Sequence, residues 1–196
     1  MNKKLLVSIA FMMLLTVFGV GQRVEAQNAS VLAKAQSITG DRFTITSRTA
    51  KGATIYGVNK PTSTVLNAID KGLTDLFAVA RKNGYRTRLN YSDYTIYIAK
   101  ADRTKNAAGE YSPDFAVGAQ QYAGSVYDQG GYIYAAGMVL AYTPCAFIIA
   151  EHQNIFDRIS DVVRYEGEHI VLYHNDRRRY NATADHSKGG GHPILQ

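Results

Sequence analysis

The sequence predicts an α+β domain with two main helices and a mostly antiparallel sheet. Two stretches, 62–83 and 154–174, repeat apolar residues every three or four positions, which is the period of a half-buried helix. Between them lie short runs that alternate in polarity or are continuously apolar, bounded by Gly, Pro or Asn, as strands are. The size agrees: roughly 170 residues follow an N-terminal leader, enough for one domain with its own core.

The leader begins with Lys3 and Lys4, followed by an almost unbroken apolar run from Leu5 to Val20. Val24-Glu25-Ala26 then places Val at −3 and Ala at −1 of a cleavage site, the layout of a secretory signal peptide. The run is shorter than the ~20 residues of a membrane span, and no Cys stands at the cut to carry a lipid. The expectation is a secreted or periplasmic protein without a stable membrane anchor, in which 1–26 is the signal peptide and 27–196 a single domain. Intact-mass measurement of the exported chain checks this. The mature N-terminus should be Gln27, or Ser30 if Ala29 is the cleavage residue, and a chain retaining residues 1–26 contradicts the expectation.

Cys145 is the only cysteine, so no intramolecular disulfide forms and packing must supply the stability. The formal charge of +6 falls by two when Lys3, Lys4, Arg23 and Glu25 leave with the leader. Arg177-Arg178-Arg179 is the one cationic run, and charges elsewhere are mixed, so no nucleic-acid partner is expected.

Arg42 to Thr46 alternates as a strand, and Ala53 to Val58 is a second, reached across Lys51-Gly52. The first helix runs from Thr62 to Asn83. Thr62 or Ser63 caps it after Pro61, Val65, Leu66, Ile69, Leu73, Leu76, Phe77 and Ala80 form its apolar face, and Gly84 ends it. Arg88 to Asn90 and Tyr94 to Ile98 read as short strands. Lys100 to Gly131 is loop-rich, and a loop of that length in a small domain usually has a function. Tyr132 to Leu140 reads as a strand, and Cys145 to Ala150 as a strand or the approach to a helix. The second helix runs from Asn154 to about His174, followed by a polar tail containing Gly189-Gly190-Gly191.

The second helix holds the candidate site. At 100° per residue, Glu166 falls near the middle of the arc formed by Ile159, Val162, Val163, Ile170 and Tyr173. His169 lies at the edge of that arc, Tyr165 one turn before it on the same side, and Glu168 is expected to face water. A carboxylate buried among apolar residues needs a compensating cation, metal or proton. His169, His174, His186 and His192, four of the five histidines, crowd the end of the chain.

Tyr165-Glu166-Gly167-Glu168-His169 resembles the His-Glu-x-x-His helix of zincin metallopeptidases, with Tyr where that motif has its first His. The resemblance implies zinc as cofactor, His169 as a ligand, Tyr165 in the first ligand's place, and Glu166 as the general base acting on the attacking water. It implies a third ligand from downstream, His186 or His192, with Asp185 behind them. The long metzincin pattern would need a ligand at position 175, which is Asn. Zincin-like proteins also place an edge strand beside the motif helix to hold an extended peptide; Tyr132 to Leu140 would be that edge. The implied function is a secreted zinc-dependent hydrolase of a peptide or protein substrate. The alternative is a catalytically inactive zincin-like binding or structural protein, as the Tyr favours. Asp185 to Gly190 also resembles the Asp-His segment of His-Asn-His nucleases, without that family's downstream Asn and cysteines.

Overall fold

A computed structural model describes residues 27–101, 114–118, 132–152 and 155–195. The signal-peptide expectation, and most of the 100–131 loop, lie outside the described residues. Helix α1 covers residues 27–39. Strands β1 (Ile45–Arg48) and β2 (Thr54–Gly57) precede helix α2 (Ser63–Lys82). Strands β3 (Tyr94–Ala99), β4 (Phe115–Gly118), β5 (Tyr132–Ala135), β6 (Gly137–Ala141) and β7 (Cys145–Ala150) follow, and then helices α3 (Phe156–Asn175) and α4 (Arg177–Thr183). Among the described residues no helix is long and apolar enough to cross a membrane.

The α+β expectation holds, but the sheet is mixed rather than mostly antiparallel. Five strands run in the order β1-β2-β3-β7-β6, and β4 pairs with β5 in a separate two-stranded sheet. The centre, β2, β3 and β7, is parallel, and only the edge strands β1 and β6 run antiparallel to their neighbours. The reason is coverage. Parallel strands occur where both faces are packed, and β7 is buried at every position. Cys145, Phe147 and Ile149 face α2 and α3, while Ala146, Ile148 and Ala150 face the other way, into a cluster with Val31, Ala35 and Ile38 of α1. A continuously apolar run buried on both faces has no polar alternation to reveal it as a strand.

Helix α2 forms where expected. The Thr62 hydroxyl accepts the N–H of Val65 at 3.3 Å, and Gly84 at φ +84 lets the N–H of Tyr85 return to the carbonyl of Ala80 at 3.0 Å. Three boundaries differ from expectation. β1 lies a few residues later than Arg42–Thr46. Arg88 to Asn90 is not a strand; Arg88 sits at φ 59 and leads into a short 3₁₀ turn at Tyr91–Asp93. The run from Tyr132 to Leu140 is two strands parted at Ala136, because β5 pairs with β4 and β6 with β7.

Helices α2 and α3 cross at two glycines. A methyl group at Gly72 would collide with the Ser160 carbonyl and Val163, and one at Gly167 with Leu76. This explains a glycine inside the motif helix, where alanine would be the better helix former by about 1 kcal/mol. Gly72→Ala is expected to destabilise the fold by about 1–3 kcal/mol, since a backbone carbonyl cannot move aside. Gly167→Ala should cost less, because the tip of Leu76 can rotate. Urea unfolding of both variants checks this, and a neutral or stabilising Gly72→Ala would contradict it.

Candidate metal centre

The end of α3 and the tail converge. Asp176 closes α3, its N–H donating to the carbonyl of Leu172 at 2.8 Å, and starts α4 by accepting the N–H of Arg179 at 2.9 Å. After α4 the chain reverses sharply. The N–H groups of Lys188 and Gly190 donate to the carbonyl of Asp185 at 3.0 and 3.1 Å, and that of Gly191 to Thr183 at 3.0 Å. Gly189 has φ +80, and any side chain at Gly190 would strike the carbonyls of Thr183 and Asp185. The glycine run is therefore a tight turn that brings His192 back beside His186. Ile194 then enters the core at 6% exposure.

This fold-back assembles three histidines. His169 is buried, His186 exposed and His192 intermediate, and their ligand nitrogens all lie within 4.8 Å of one another. The His169 ring centroid is 5.0 Å from that of His186 and 4.9 Å from that of His192. Burial first, then the neighbouring His192 and His186, push His169 down to about 3. His186 is lowered as well, by burial and then by His192. His169 is thus neutral over the physiological range and offers a lone pair. Tetrahedral zinc ligands at 2.0–2.1 Å stand about 3.3 Å apart, so nitrogens that already lie within 4.8 Å of one another would need to approach by at most about 1.5 Å. Three protein ligands is also the number found in catalytic zinc sites. The residues fit such an ion.

Glu168 is fully buried, which corrects the expectation that it faces water. One carboxylate oxygen accepts the N–H of Ile194 at 3.1 Å. The other lies 3.3 Å from Nδ1 of His192, within ion-pair range but not aligned for a hydrogen bond. Helical periodicity locates the face that meets the core; it does not reveal a tail covering the opposite side. The adjacency of Glu168 to His169 was the one available signal.

Glu166 and His169 open into one cleft of about 490 Å³. Gly137, Met138 and Val139 of β6 line one side; Glu166, His169 and His186 line the other. A side chain at Gly137 would collide with Glu166, so the glycine admits the carboxyl to the strand edge. Burial raises Glu166 to about 8, partly opposed by a hydrogen bond from the Val139 N–H.

Tyr165 is 37% exposed beside the cluster. Its ring stacks on His192 at 4.7 Å, with the Arg164 guanidinium 5.6 Å from its centroid. Asp185 pairs with Lys188 at 2.8 Å on the surface. His174 lies apart, its Nε2 2.6 Å from the carbonyl of Tyr142. The Asn175 side-chain oxygen accepts the N–H groups of Arg86 and Thr87 at 3.0 and 2.9 Å, a loop anchor. His152 is buried 3.6 Å from Asp114, which also holds Arg158 at 2.6 Å. Comparison of the chain with family models, curated proteins and solved structures finds no match.

Proposed function

We propose that the protein is an exported zinc-dependent hydrolase of peptide bonds, with His169, His186 and His192 as the metal ligands and Glu166 as the general base. The observation that carries this reading is the three-histidine cluster opening, beside Glu166, onto a cleft bordered by an edge strand. Imidazoles suit zinc, copper, iron and nickel; zinc, redox-inert, is the choice consistent with hydrolysis. When bound, it would supply Lewis acidity to the substrate carbonyl and to water. Glu166 would take the proton from the attacking water, and a cation nearby would lower its pKa from about 8 into the working range. The outer edge of β6 would hold an extended peptide as an added strand, main chain to main chain. Tyr165 would brace His192 from outside by ring stacking.

A non-catalytic, metal-binding protein is the second reading. It is favoured by the Glu166 carboxyl being engaged by the Val139 N–H and raised to about 8, since a protonated carboxyl is no base. Incubation of the zinc-loaded mature chain with a fluorogenic peptide library separates the two. Hydrolysis that stops with a chelator and returns with zinc supports the hydrolase. Stoichiometric zinc without hydrolysis of any peptide supports the second reading.

A further inference from the structure

We propose that Glu168 is a positioning residue that couples metal occupancy to docking of the C-terminal tail, so that the last residues form a metal-gated clasp. The inference rests on the proposed metal centre and concerns its regulation. The geometry is a double attachment. The two oxygens of one fully buried carboxylate meet two tail residues, His192 through Nδ1 at 3.3 Å and Ile194 through its N–H at 3.1 Å. With Nδ1 nearest Glu168, Nε2 is the nitrogen left to His192 for a metal shared with His169 and His186, the arrangement by which outer carboxylates fix the orientation of metal-binding histidines. Ile194, two residues on, sits in the core beside α3. The tail is therefore held at three places: the histidine cluster, Glu168 and the Ile194 socket.

The attachment is geometrically incomplete: the second Glu168 oxygen and Nδ1 of His192 stand 3.3 Å apart without the alignment of a hydrogen bond, while the first oxygen already holds the Ile194 N–H. A metal drawing on the other ring nitrogen of His192 would fix the ring and let Nδ1–H align on Glu168. Occupancy then tightens Glu168 on His192 and Ile194 together. Because His186, which lines the cleft, belongs to the tail, loss of the metal would release part of the cleft's own wall.

The test is hydrogen exchange at the Ile194 amide in the full mature chain, without metal and with one equivalent of zinc, alongside zinc titration of wild type and Glu168→Gln. Zinc should slow exchange at Ile194 at least tenfold in wild type. Glu168→Gln should weaken zinc binding by roughly 10–100-fold, abolish the zinc-dependent slowing, and leave the unfolding midpoint of the metal-free chain no lower. Equal exchange with and without zinc in wild type that binds the metal overturns the clasp, even if the variant does not fold. Unchanged zinc affinity in a folded Glu168→Gln also overturns it and leaves the metal centre standing. A merely structural Glu168 would speed exchange equally in both states, a third contrary result. Wild type that binds no zinc overturns the metal centre and the clasp together.

Discussion

His169→Ala is expected to weaken zinc binding by about 10²–10³-fold. Structural zinc sites with four ligands bind with apparent free energies of about 10–16 kcal/mol, or roughly 2.5–4 per ligand. At about 1.4 kcal/mol per factor of ten, one ligand is worth two to three orders of magnitude. His169 is the ligand to remove because it alone of the three stands on α3, facing two histidines supplied by the tail. The same substitution should alter the acid response of the metal-free chain. His169 is held near 3 against an ordinary 6.5, so the unfolded chain takes up a proton that the folded chain refuses. Stability is then lost as pH falls from about 6.5 towards 3. His169→Ala removes that contribution and should flatten the curve. Competitive chelator titration measures the affinity, and thermal unfolding across pH measures the slope. Wild-type affinity in the variant would exclude His169 from the ligand set.

Glu166→Gln has the second large effect, and its sign differs between activity and stability. Loss of a general base should lower peptide hydrolysis by roughly 10²-fold or more, with zinc affinity little changed. Stability should move the other way. Burial raises Glu166 from 4.5 to about 8, so the folded metal-free chain holds a proton that the unfolded chain releases. The stability this confers is complete below about 4.5 and is lost as pH rises through 8. Glutamine keeps the shape without the charge, so the variant's advantage should grow over that window, to a gain on the order of 1 kcal/mol. Hydrolysis retained at the wild-type rate would remove Glu166 from the mechanism, whatever the metal does.

The parts of the fold that were legible in the sequence are those with one covered face. α2 and α3 show it: Ile69, Leu73 and Leu76, then Ile159, Val163 and Ile170, recur at helical spacing and are all fully buried. α1 carries the same signal over little more than two turns, Val31, Leu32, Ala35 and Ile38, too short to stand out from the polar residues around it. The parallel centre of the sheet was hidden because β3 and β7 are covered on both sides, so their polarity does not alternate. β4 is only four residues, Phe115 to Gly118, inside a stretch rich in Gly and turn residues, and α4 starts on three arginines and has no fully buried residue, so neither shows a sustained period.

The site divides in the same way. Glu166 and His169 on one side of α3 follow from helix geometry, and the zincin resemblance implies that His186 or His192 reaches His169; in the structure both do. The conformation that makes this possible belongs to Gly189, Gly190 and Gly191, which as letters look only like flexible tail. Glu168 was misplaced because its burial depends on Ile194 and His192, more than twenty positions away. The resemblance to a His-Glu-x-x-His helix singles out His169, one of the three clustered histidines. The structure, however, assembles one histidine from the helix and two from the tail, with Tyr165 stacked at the flank.

X-ray absorption at the zinc edge, on the mature chain loaded with one equivalent of zinc, tests the metal centre most directly. The account predicts one tightly held ion in a four-coordinate shell, with three imidazole nitrogens at about 2.0–2.1 Å. A chain that retains no zinc, or a shell of oxygen ligands without imidazole, would contradict it.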